Sequence, residues 1–141
     1  MIMKAAIAVL SSAALAFAQS ITVPLPPPRS TLTPGSAFVV EVNRDVDSAV
    51  PSRDVSVAIG LESCGQAQCG ALASEGMLGT VLYAGDYAPQ PQPGNSSQLS
   101  EQFNASVPAG MQAGDALLNV AHFYLDGADG VDMCRRERVL L

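Results

Sequence analysis

The chain reads as all-β, an immunoglobulin-like antiparallel β-sandwich, and three observations predict it. Short runs rich in β-branched residues alternate apolar and polar side chains with a period of two. Proline- and glycine-rich stretches at Pro24–Gly35, Tyr87–Ser97 and Val107–Asp115 separate those runs. After residue 18 no segment of ten or more residues carries a sustained helical stripe. Five or six strands in a chain of this length suit two packed antiparallel sheets.

The opening MIMKAAIAVLSSAALAFA is set apart from the fold, because it has the three parts of a secretory signal peptide. Lys4 is the positive start, Ala5–Leu15 the apolar centre and Ala16-Phe17-Ala18 the small-residue cleavage site. The centre falls short of the roughly 20 apolar residues that span a bilayer, so residues 1–18 read as a removed signal and not as an anchor. A secreted, extracellular protein starting at Gln19 is expected, with one domain over residues 19–128.

The strands then follow in order. Ile21, Val23 and Leu25 alternate ahead of a proline cluster, which suits an edge strand because proline cannot donate to a ladder. AFVVEVNR puts Phe38, Val40 and Val42 on one face and Val39 and Glu41 on the other. DVSVAIGL sets Val55, Val57, Ile59 and Leu61 against Asp54, Ser56 and Ala58. LGTVLYAG is a short strand, and LSEQFNASVP brings Phe103, Ala105 and Val107 to a common side. DALLNVAHFYL is apolar on both faces, as a central strand covered on each side would be.

Charge and cysteine content narrow the function classes. Lys4 is the only lysine, and losing it takes the formal charge from −6 to −7. Phosphate binding needs clustered cations, so neither nucleic acid nor an anionic membrane is an expected partner. Cys64 and Cys69 frame the loop CGQAQC, short enough to close as a disulfide in an oxidising compartment, which leaves Cys134 unpaired. One histidine and three cysteines offer no metal-ligand set, and no nucleophile elbow, phosphate loop or dinucleotide fingerprint occurs. Asp126, Asp129 and Asp132 do not have EF-hand spacing. His122 lies in an apolar strand with no evident orienting acid, alternating with Val120 and Tyr124 opposite Ala121, Phe123 and Leu125. It reads as a packed residue, and no catalysis, cofactor or metal is expected. Asn95 and Asn104 each head an N-x-S sequon, and either can carry sugar on an exposed position.

Two strings, GTVLYAGDYAPQ at Gly79–Gln90 and QFNASVPAGMQAGDALLNVAHFYLDGA at Gln102–Ala128, resemble the fungal necrosis-inducing secreted protein (Nis1-type) effector family. The likeness runs from about Ile21 to Ala128, and the cysteine loop ahead of the first string fits it too. The resemblance implies a non-enzymatic fungal effector, extracellular or acting in the host cell, that binds plant immune receptor-associated kinases and suppresses pattern-triggered immunity, some members provoking cell death; a monomer is expected. On that reading the contact surface is expected on the Cys64–Cys69 loop and the Gly85–Gly94 loop, with Gly85, Asp86, Tyr87 and Gln90 facing the partner. The same fold also suits a structural or carbohydrate-associated cell-wall module.

The end of the chain departs from the family pattern. Members continue past HF-L-GA into a final apolar alternating strand, whereas this chain reads DGVDMCRRERVLL, with Cys134 and three of its arginines inside Cys134–Arg138. The expectation is an atypical tail over residues 129–141, a gene-model fault that leaves the sandwich without a regular final strand. The alternative is that RERVLL is a genuine short strand or a disordered tail.

Overall fold

The computed structural model describes residues 21–46, 52–65, 69, 77–126 and 131–140. The signal-peptide expectation, and with it cleavage after Ala18, lies outside the described residues. Eight strands form: β1 Ile21–Leu25, β2 Ala37–Asp45, β3 Ser52–Ser63, β4 Thr80–Asp86, β5 Gln90–Gln92, β6 Asn95–Ser106, β7 Ala116–Asp126 and β8 Val131–Leu140. They make two antiparallel sheets, ordered β1-β2-β6-β5 and β4-β3-β7-β8. This is the immunoglobulin arrangement with an added strand beside the second sheet.

The alternation read from the sequence becomes the inner faces of the two sheets. Val40, Val42, Phe103 and Ala105 from one sheet meet Val57, Ile59, Leu61, Leu118 and Val120 from the other in a single core, with Ile21 and Val23 at its edge. Val39 and Asn104 point away, as expected. Strand β7 is covered on both faces: Leu118, Val120, His122 and Tyr124 lie inside, while Leu117 is buried outside against Cys64 and Cys69. Asn119, on that outer face, donates to the Leu78 carbonyl at 3.3 Å.

Gly60 makes room for that approach. A Cβ there would lie 2.6 Å from Leu78 Cγ and closer still to the Leu78 carbonyl oxygen, so only glycine lets the segment entering β4 lie across β3.

Alternation marks six of the eight strands; β5 is unmarked, and β8 covers the segment for which a genuine short strand was the alternative expectation. β5 contains Pro91, which looks like a breaker but is tolerated because β5 is an edge strand. β8 brings a correction: the expected loss of a final strand does not hold, because Val131–Leu140 pairs with β7 in unbroken register from Asp126↔Val131 to Leu117↔Leu140. The second sheet therefore has four strands. The side chains of this last strand, Cys134 among them, and residues 127–130 lie outside the described residues.

Candidate functional site

The two loops expected to share a contact surface stand at opposite ends of the second sheet. β3 and β4 are antiparallel, with Leu61 opposite Thr80 and Ser56 opposite Asp86. Cys64 follows Leu61 at one end, and the Gly85–Gly94 loop leaves β4 at the other. At about 3.3 Å per residue, β4 separates them by roughly 20 Å. What joins them is the outer edge of β4, whose backbone has β3 on one side and no strand on the other among the described residues. Thr80–Gly85 carries no charge and no proline, and Val81 is 55 % exposed.

Cys64 and Cys69 form the expected disulfide, with Cα atoms 5.2 Å apart. Both are buried against Leu117, and the Cys64 amide donates to the Asp115 carbonyl at 2.8 Å. That amide bond ties the end of β3 to the loop before β7.

Of the four residues expected to face a partner, three lie at the surface and one does not. Asp86 and Gln90 are exposed, and Gly85 is half-buried against the Tyr83 ring. Tyr87 is 3 % exposed and belongs to the core. Its amide donates to Val55 O in one sheet at 3.3 Å, and its hydroxyl donates to Val42 O in the other at 3.0 Å. Aromatic bulk with a polar tip lets one side chain fill the core and bond across it. Burial pushes the Tyr87 phenol well above its ordinary value, the nearby Asp54 charge adds to that, and Arg44 opposes it.

Tyr87 also packs edge-on to His122, with ring centroids 5.1 Å apart, and Tyr124 stacks on the other side at 5.0 Å. His122 is not without an acid: its Nε2 lies 2.9 Å from Asp54 Oδ1, and Asp54 Oδ2 lies 3.0 Å from Arg44 Nε. This corrects the sequence reading, and the cause is a β-bulge. The β3–β7 register passes from Asp54↔Tyr124 to Ser56↔Phe123, leaving Val55 as an extra residue. The bulge breaks the alternation and turns Asp54 from the predicted outer face to the space between the sheets. Arg44 reaches it from β2, and Ser52 lies 3.2 Å from Arg44 Nη1.

A histidine bonded to an aspartate is the base-and-orienter pair of many hydrolases. Here the imidazole is fully buried, and its Nδ1 has no hydrogen-bond partner. Among the described residues no serine or cysteine is bonded to the ring. The pair instead links β3 to β7 while Arg44 links both to the other sheet.

The Nis1 family model matches residues 14–135, most of the chain. The chain belongs to the Nis1 family. No curated protein matches it. The two strings that carried the resemblance fall on β4 with its following loop, and on β6, β7 and the loop between them. Within this Nis1-family chain, Asn119 and His122 of the NVAHF run hold the fold together: one fastens Leu78 over Gly60, the other binds Asp54.

No cluster of three or more histidine, cysteine or carboxylate side chains placed to hold a metal occurs among the described residues. Asn95 and Asn104 are both exposed, at the start and near the end of β6.

Proposed function

We propose that this chain is a secreted fungal effector that binds plant immune receptor-associated kinases and suppresses pattern-triggered immunity, acting by occupancy and not by catalysis. Membership of the Nis1 family supports the effector class. The observation that carries the binding mode is the open edge of β4, uncharged from Thr80 to Gly85 and running between the disulfide loop and the Gly85–Gly94 loop. An extended segment of a partner adds to such an edge through main-chain hydrogen bonds, and side chains at either end supply selectivity. Asp86 and Gln90 are placed for that at one end. The sealed His122–Asp54 pair supports a role in the fold and gives no access to a substrate.

The test is a binding assay with purified cytoplasmic domains of plant receptor-associated kinases, using the folded protein and Val81→Lys. Val81 is 55 % exposed, so a lysine there changes the edge with little effect on packing. Saturable binding that the substitution weakens at unchanged Tm is expected. Absence of kinase binding, with retention on chitin or glucan, would overturn the reading in favour of a wall-associated module.

A further inference from the structure

At the disulfide end of the sandwich, away from the loop after β4, lies a cavity of about 600 Å³. Leu32, Leu61, Val107, Met111 and Ala116 line it, and Arg29 stands at it. Its size is that of a small-molecule site, and its lining is mixed: apolar side chains together with Arg29, Ser30, Thr31, Gln112 and Asp115.

The walls are fixed in place. The β1–β2 loop is bonded to the end of β6 by Gly35 N–H to Val107 O at 2.8 Å and Val107 N–H to Ser36 O at 2.9 Å. The β6–β7 loop is held to the cystine segment by Cys64 N–H to Asp115 O at 2.8 Å and by Ser63 Oγ to Gln112 O at 3.4 Å. A cavity with bonded walls needs little ordering when a ligand enters, which favours affinity.

Arg29 supplies the selectivity. It is exposed and has no ion-pair partner among the described residues. The turn Pro27–Ser30, closed by Ser30 N–H to Pro27 O at 3.2 Å, holds Arg29 at φ 64°, a left-handed conformation that a type II turn normally gives to glycine. An arginine where glycine is easier places its guanidinium beside a partly apolar cavity in a chain of formal charge −6. Asp115 also lines the cavity, and its charge opposes an anion there.

We infer that this cavity is a binding site for a small amphipathic anion, an apolar body bearing one carboxylate or sulfonate that Arg29 engages while Leu32, Leu61 and Met111 cover the body. The inference is independent of the kinase-binding reading.

The test compares two fluorescent probes with the same aromatic character, 8-anilinonaphthalene-1-sulfonate and the uncharged N-phenyl-1-naphthylamine. Both should bind saturably, the sulfonate more tightly. Arg29→Gly, which suits the turn's backbone, should weaken the sulfonate about tenfold, the scale of one charge-assisted hydrogen bond, and leave the neutral probe within about twofold. Arg29→Lys should recover part of the loss, and Asp115→Asn should tighten the sulfonate. Ala113→Trp, which fills the cavity from its rim, should weaken both probes at unchanged Tm. Equal effects of Arg29→Gly on the two probes, no effect of Ala113→Trp, or no saturable binding would each overturn the inference.

Discussion

Replacing Asp54 by alanine tests whether the buried cluster holds the two sheets together. The carboxylate serves two partners, Arg44 Nε at 3.0 Å and His122 Nε2 at 2.9 Å. Arg44 keeps 6 % of its surface exposed and His122 none. Without Asp54 the guanidinium loses the carboxylate bonded to its Nε, and the imidazole loses its acceptor. Breaking a buried pair by removing one partner costs about 3–5 kcal/mol. The Ser52 hydroxyl at 3.2 Å remains for Arg44 and offsets part of that, so a loss near 3 kcal/mol is expected, at the lower end of the range. At about 3–6 °C per kcal/mol for a domain of this size, Tm should fall by about 9–18 °C. Thermal denaturation followed by circular dichroism reads this directly. Removing both charges, Arg44→Met with Asp54→Leu, removes both members of this buried pair and should recover part of the loss. A fall in Tm of under about 4 °C for Asp54→Ala, or a double variant as unstable as the two single changes summed, would refute the argument.

Three further outcomes follow from individual contacts. Tyr87→Phe leaves the Val42 carbonyl without its donor and should lower stability by about 1–2 kcal/mol at neutral pH. Because burial raises the folded phenol above its unfolded value of about 10, its contribution is complete below that pH and is lost as pH rises beyond it. Urea midpoints at alkaline pH should therefore fall more steeply in the unsubstituted protein than in Tyr87→Phe, and parallel declines would contradict the assignment. Changing Cys64 and Cys69 together to serine should cost about 2 kcal/mol, the chain-entropy value for so short a loop, seen as a lower urea midpoint that reductant no longer affects. Gly60→Ala should cost about 1–3 kcal/mol in the same assay, since its Cβ would meet Leu78.

The core was legible in the sequence because period-two alternation and burial have the same cause. Phe103, Ala105 and Val107 share a side in LSEQFNASVP, and all three are buried. β5 was not legible, and β8 only as the lesser alternative, since each lies at a sheet edge, where a ladder tolerates proline and charge that a central strand would exclude. The Asp54–His122 contact was hidden for a different reason. The residues are 68 apart in sequence, and a bulge at Val55 moves Asp54 off the face its alternation assigns. No local pattern marks a bulge of that kind. Tyr87 was misread because a tyrosine between glycine and proline resembles a loop contact, while its two backbone bonds to opposite sheets exist only after the sheets have packed.

The four sheet edges are unequal, and the inequality bears on what the protein meets. β1 contains Pro24, β5 is three residues long and contains Pro91, and the β8 segment includes Asp132, Arg135, Arg136, Glu137 and Arg138. Short length, proline and charge are the devices that keep an edge from recruiting another strand. β4 has only an irregularity in its pairing near Leu82. An edge left open in this way invites self-pairing as readily as pairing with a partner, but two copies of a chain with formal charge −6 repel each other. That repulsion is screened by salt, with a Debye length near 10 Å at 0.1 M. Self-association through β4 should therefore be weakest at low ionic strength and rise with added salt, and Val81→Lys should suppress it. Sedimentation across a salt series distinguishes this from an apolar interface elsewhere, which the substitution would leave intact. A partner segment without net negative charge escapes the repulsion altogether, so the same electrostatics that discourages a dimer favours a different chain at this edge.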